Sequence, residues 1–313
     1  MNGLKYGLAG LFVAGFLCVS GQEDGGAAQF PELTPDTRGV GMGNTGIATP
    51  ANAFSIWRNA SRIVFSGKKA AAGYSFTPWM HERLSGKDRL HTAAGYYNLD
   101  EKQGVVAGFR LLRHAKVNDF TPKDWSVDAG YVRRLTENLS VDAVVRFVYS
   151  DMSESDKDAK AKAVAFDLGA YYRQAFADYG ECSWAVGLQV SNFGSKIDYG
   201  YGKYDQPARV GAGGMLDWVF NEKHRLQGTL DAGCLVLPDV CWDGAVGAEY
   251  TAFGIVSVRG GYHCGERNDR TQRYGTVGCG VGFCHVRADF AWLFPETGSP
   301  LKNTWQVAVS VEL

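Results

Sequence analysis

The chain has 313 residues, 40 glycines and 13% aromatic residues, with 32 basic and 33 acidic side chains that leave a formal net charge of -1. The charges are scattered, so a nucleic-acid binder built on a basic stripe is excluded. After residue 21 no apolar run is long enough for a membrane helix, but strands that meet lipid only at alternate residues remain allowed.

Residues 1–21 read as a secretory signal. Lys5 supplies the positive start, 8–19 are apolar, and Ser20 and Gly21 are small residues ahead of a cleavage point. Gly15-Phe16-Leu17 before Cys18 makes a poor lipoprotein box, and the run is short for an uncleaved anchor. Residues 22–67 do not alternate. They contain Gly39, Gly41, Gly43 and Gly46, which permit tight bends and close backbone approach. A phosphate loop is rejected, because the Gly-Lys-Ser/Thr ending is missing and no strand precedes the glycines. This segment is expected in or against the lumen of whatever 68–313 builds.

From residue 68 the pattern changes to period two. Candidate strands lie near 69–76, 90–99, 104–113, 125–135, 139–151, 161–173 and 183–193, then near 208–220, 224–235, 241–250, 253–263, 274–283, 286–294 and 304–313. In the fifth, Val141, Ala143, Val145, Phe147 and Tyr149 share one face, while Asp142 and Arg146 share the other. In the sixth, Val164, Phe166, Leu168, Ala170 and Tyr172 oppose Asp167, Gly169 and Arg173. The last sets Trp305, Val307, Val309, Val311 and Leu313 against Gln306, Ala308, Ser310 and Glu312. An even count, strands of about ten residues and mostly alternating long and short connections predict an all-β fold. It is a fourteen-stranded antiparallel transmembrane β-barrel of an outer membrane. A soluble sandwich with the apolar faces turned into a shared core is the rival.

Six cysteines follow the signal, in a compartment where disulfides persist. Cys234 and Cys241 flank one hairpin and are the candidate bridge. Spacing for metal ligation is absent, and the six histidines are spread out. His263 beside Cys264 and His285 beside Cys284 are strand neighbours that point to opposite faces, so a Cys–His nucleophile is not expected. Asp128, Asp142, Asp167, Arg146 and Arg173 are read as a lumenal charge network that fills a narrow interior. No catalytic residue, cofactor or metal is expected.

Residues 31–65, PELTPDTRGVGMGNTGIATPANAFSIWRNASRIVF, resemble the N-terminal signature of the PorV family, outer-membrane barrels of the type IX secretion system in Bacteroidetes. GYSFTPWM (73–80), AAGYYNLDEKQGVVAGFRLL (93–112) and WSVDAGYVRRLTENLSVDAVVRFVYSD (125–151) extend the likeness. The related PorQ proteins and fatty-acid-channel barrels share the style of the glycine-rich part. Where the family has Asn-Pro-Ala, this chain reads Arg58-Asn59-Ala60. The resemblance implies a barrel related to the long-chain fatty-acid transporter that shuttles proteins. It would bind the C-terminal signal domain of secreted cargo as it leaves the large translocon barrel, and deliver it to the cell-surface sortase. External loops near 77–88, 116–123, 152–160 and 194–207 would contact partners, with Trp79, Met80, Lys157 and Asp158 as candidates. For Trp79 and Met80 the other reading is an aromatic belt. Arg38, Gly41, Gly43 and Asn44 would belong to a lumenal plug. The rival function is a channel for hydrophobic small molecules.

Overall fold

A computed structural model of the chain describes residues 30–79, 88–116, 119–152, 160–176, 182–199, 202–221, 223–266, 272–297, 299 and 301–313. The expected signal, residues 1–21, lies outside them. Alternation of apolar and polar residues produces strands with one dry and one wet face; sixteen strands occur among the described residues, fourteen of them of this kind. They are β1 (Ala70–Trp79), β2 (Asp88–Asn98), β3 (Gln103–Arg113), β4 (Lys123–Arg134), β5 (Leu139–Asp151), β6 (Lys160–Ala175), β7 (Ser183–Gly194) and the two-residue β8 (Ile197–Asp198) and β9 (Lys203–Tyr204). After these come β10 (Arg209–Asn221), β11 (His224–Leu235), β12 (Cys241–Ala252), β13 (Val256–Gly265), β14 (Tyr274–Phe283), β15 (Val286–Pro295) and β16 (Trp305–Glu312).

All except β8 and β9 join one closed antiparallel barrel of fourteen strands, as expected. β16 closes it. Tyr74 of β1 pairs with Val309, which on its other side pairs with Ala288 of β15. Closure leaves no backbone edge unpaired, which lipid requires. The predicted faces hold in the three strands read in detail. Val145, Phe147, Phe166, Leu168, Val309 and Val311 are exposed on the outside, while Asp142, Arg146, Asp167, Gln306 and Ala308 are buried inside. The sandwich alternative fails because the exposed large apolar side chains ring a closed wall. β8 and β9 form a separate ribbon within the connection from β7 to β10. Two-residue strands carry no periodic signal, so this connection reads as plain loop in the sequence.

One rim carries the short turns and the end of β16; the other carries the longer connections. Between β12 and β13, a turn closed by the Ile255 N–H donating to the Ala252 carbonyl at 3.0 Å places Phe253 and Gly254 at φ of 57° and 68°, the left-handed pair of a type I′ turn.

Cys234 and Cys241 are not bridged. Cys234 is opposite Trp242, and Cys241 is opposite Leu235. That one-residue offset sends the first outward with the exposed Trp242 and the second inward. A bridge would have to pass through the wall, so the expected disulfide is corrected.

Candidate functional site

The lumen is filled by residues 30–67. The segment is short of alternation but rich in glycine and small side chains, and it folds as α1 (Thr37–Gly41) and brief 3-10 turns rather than as a strand. Its lower half is apolar. Phe54, Ile56, Trp57, Ile63 and Val64 pack with Tyr96, Val106, Val132, Val144 and Ala308 from the inner wall. Trp57 occupies the space that Gly108 leaves open, since a Cβ there would come within 2.6 Å of the indole.

The expected plug residues are fixed by polar contacts. Arg38 donates to both carboxylate oxygens of Glu249 on β12, at 3.0 and 2.7 Å, and to Gln227. Glu249 also accepts from Arg259, which pairs with Asp289 at 2.8 Å. Burial works against the Arg38 charge, but Glu249 outweighs it and raises its pKa above the ordinary value. Gly41 lies against the backbone of Gly278. Gly43 sits at φ 73° and its N–H donates to Thr276 Oγ1 at 2.8 Å. Any Cβ on Gly43 would meet Tyr262 backbone nitrogen at 2.6 Å, so this position takes only glycine. Asn44, at φ 70°, accepts from Arg58 through its backbone carbonyl at 2.7 Å and through its side chain. Gly46 and Ile47 donate to Asp231 at 2.7 and 3.1 Å. Farther along, Asn59 caps the following turn and also reaches the Ala170 carbonyl at 3.0 Å. Arg62 is enclosed by neutral acceptors, Asn59 O, Thr49 and Ser55. Without an adjacent carboxylate, burial pushes its pKa down to about 10.

Above the plug lies the charge network. Arg146 bridges Asp128 and Asp167, the latter at 2.7 Å, and also donates to Asn192. Arg110 joins at 3.9 Å from Asp128 and donates to the Pro31 carbonyl at 2.9 Å. Of the five charges expected together, Asp128, Arg146 and Asp167 meet. Asp142 instead accepts from Ser61 N–H at 2.8 Å, and Arg173 bonds Ser183 at 3.3 Å. Arg110, Asp231 and Glu249 escaped the sequence reading, although inward parity marks each of them; Asn192, of outward parity, is turned inward by a bulge at φ 60°.

The long-loop rim closes inward. Tyr199 of the ribbon connection bonds Ser150 at 2.8 Å and is buried with Phe30, Leu33 and Leu112. Beside it His114 donates to Asp88 at 2.9 Å and to Asp124 at 3.0 Å. Trp79 ends β1 with its backbone opposite Asp88. Met80, Lys157 and Asp158 lie outside the described residues. Among the described residues, one cavity lies between residues 31–34 and 44–58 of the plug and the upper wall, and another lies below the plug. The upper is about 80 Å³ and is lined by Arg58, Arg146, Arg209, Asp231 and Asp243. The lower is about 690 Å³, opens at the short-turn rim and is lined by Arg38, Asp217, Arg225, Glu249 and Arg287. Charged side chains line both, beside apolar ones such as Ile47 and Trp57 in the first and Phe54 and Tyr96 in the second.

A closed wall with an apolar exterior and a polar, plugged interior defines an outer-membrane β-barrel. The chain belongs to the PorV family: the model for "Type IX secretion system protein PorV" matches residues 25–241. No curated protein matches it in sequence. Among solved structures, the Pseudomonas putida toluene transporter TodX superposes with a TM-score of 0.58 at 11% identity, covering 88% of this chain and 97% of its own. The Ralstonia pickettii toluene transporter TbuX gives 0.56 at 14% identity, with 90% and 96% covered. A Pseudomonas aeruginosa FadL homologue gives 0.56 at 10% identity, with 90% and 98% covered. At these identities the likeness is one of fold. The protein resides in the outer membrane, its longer loops towards the cell exterior.

Proposed function

We propose that the protein is a non-enzymatic shuttle of type IX secretion. It receives the C-terminal signal domain of secreted cargo at the long-loop rim. It takes that cargo from the large translocon barrel and hands it to the cell-surface sortase. Membership of the PorV family supports this reading. The observation that carries it is the lumen: plug and wall are joined by buried ion pairs, and arginines and carboxylates project into the cavities on either side of that junction. An interior of this kind favours work at the rim over passage of greasy solutes. Trp79, Met80, Lys157 and Asp158 remain the proposed contact residues.

The second reading is transport of hydrophobic small molecules. The solved relatives support it more directly than they support cargo binding, because two of them are toluene transporters. Affinity capture of the tagged protein from detergent-solubilised outer membrane separates the two. Cargo that retains its C-terminal signal domain is the expected catch. Recovery of hydrophobic small molecules with no such cargo would replace the shuttle by the transporter.

A further inference from the structure

One row of charge on the outer wall has no use in the lumen. Arg89 stands opposite Arg113 across β2 and β3, and Arg113 stands opposite Lys123 across β3 and β4. Register partners share a face, and all three residues are exposed. Neighbouring strands are only ~4.8 Å apart, and like charges set directly opposite each other destabilise a sheet. None of the three forms an ion pair among the described residues, and only Lys123, opposite Asp151, has an anionic neighbour in register. The row runs on through Asp151 to Lys160, which are 4.0 Å apart, and Lys162 is one rung in from Lys160. Five cations thus face a single carboxylate.

Depth identifies the missing counter-charge. One rung towards the middle of the wall, the same face reads His91, Leu111, Trp125 and Tyr149. The rings of Trp125 and Tyr149 stack at 5.3 Å. The next rung reads Ala93, Phe109, Val127 and Phe147. Aromatic residues of this kind mark the membrane boundary. The cations stand two residues beyond it, ~7 Å farther out, at the level of lipid head groups.

We propose that this row binds the phosphate groups of an outer-leaflet lipid. Arg89 and Arg113 present planar forks that match phosphate oxygens, and Lys123 adds a point charge. The occupant is a lipid rather than free phosphate, because the row tops an apolar wall that acyl chains cover. This inference rests on the membrane orientation and not on the cargo reading.

The test uses the mature protein in detergent, with fluorescent diphosphorylated lipid A and the same lipid after phosphatase treatment. Binding should be about tenfold tighter for the phosphorylated form. The combined variant Arg89→Gln, Arg113→Gln, Lys123→Gln should lose that preference. Its Tm in lipid-free detergent should equal or exceed that of the parent, since mutual repulsion is removed. Inorganic phosphate at the same concentration as lipid should not compete. Equal affinity of the unmutated protein for the two lipids would overturn the proposal whatever the variant does. So would full competition by inorganic phosphate, an undiminished preference in the variant, or a lowered Tm that reveals a partner within the protein.

Discussion

Arg146 is the side chain most costly to lose. Asp128 and Asp167 are 1% and 3% exposed, and removing their shared cation strands two buried carboxylates. Arg146→Met should destabilise the barrel by about 3–5 kcal/mol, read as a lowered urea midpoint in lipid vesicles. Adding Asp128→Asn and Asp167→Asn should recover part of the loss. His114 gives a pH signature at the rim. Burial disfavours its charge, but hydrogen bonds to Asp124 and Asp88 outweigh that and raise its pKa to about 9. Because the folded value lies above the ordinary value of about 6.5, the clasp stabilises fully below pH ~6.5. The benefit then fades as pH rises to about 9. Proteolysis of the long-loop rim should therefore accelerate between pH 6 and 9.5, and His114→Gln should flatten that dependence. At this scale the sequence reveals facing but not partnership. Parity marks Asp128, Asp142, Arg146 and Asp167 alike as inward. Which of them meet depends on how the strands are staggered around the barrel and on where the plug offers a donor, as Ser61 does to Asp142.

At the scale of the element, the plug is seated by glycine meeting backbone. A Cβ at Gly261 on β13 would come within 2.2 Å of Gly43 nitrogen and of Met42 carbonyl carbon. Backbone cannot rotate away as a side chain can, so Gly261→Val should unseat the segment around α1. The expected cost is ~1–3 kcal/mol or more. New protease cleavage within 36–50, with heat-modifiable mobility of the barrel preserved, is the expected result. Unchanged protection would show that the plug is held elsewhere. The strands themselves were legible because each alternates over eight or more residues. The Cys234 and Cys241 pairing was not, since one step of register flips a face. The β8–β9 ribbon was not legible either. Its four strand residues are held by long-range contacts such as those of the adjoining Tyr199 and Gln206. Asn59 shows a local substitution at work. Where the family pattern has proline, its side chain accepts the Ser61 N–H and ties the turn to β6.

For the whole molecule, the wall explains location and the plug constrains function. Outward Leu188, Leu216 and Leu230 are each 62% exposed, a surface that needs lipid around it. The interior is sealed by Arg38–Glu249 on one side and by the Arg146 network on the other. Single-channel recording in planar lipid bilayers tests this seal directly. The intact protein should insert without a steady ionic conductance, and Arg38→Ala should introduce flickering openings as α1 loosens. A stable open pore in the unmutated protein would contradict a lumen closed by its own N-terminal segment.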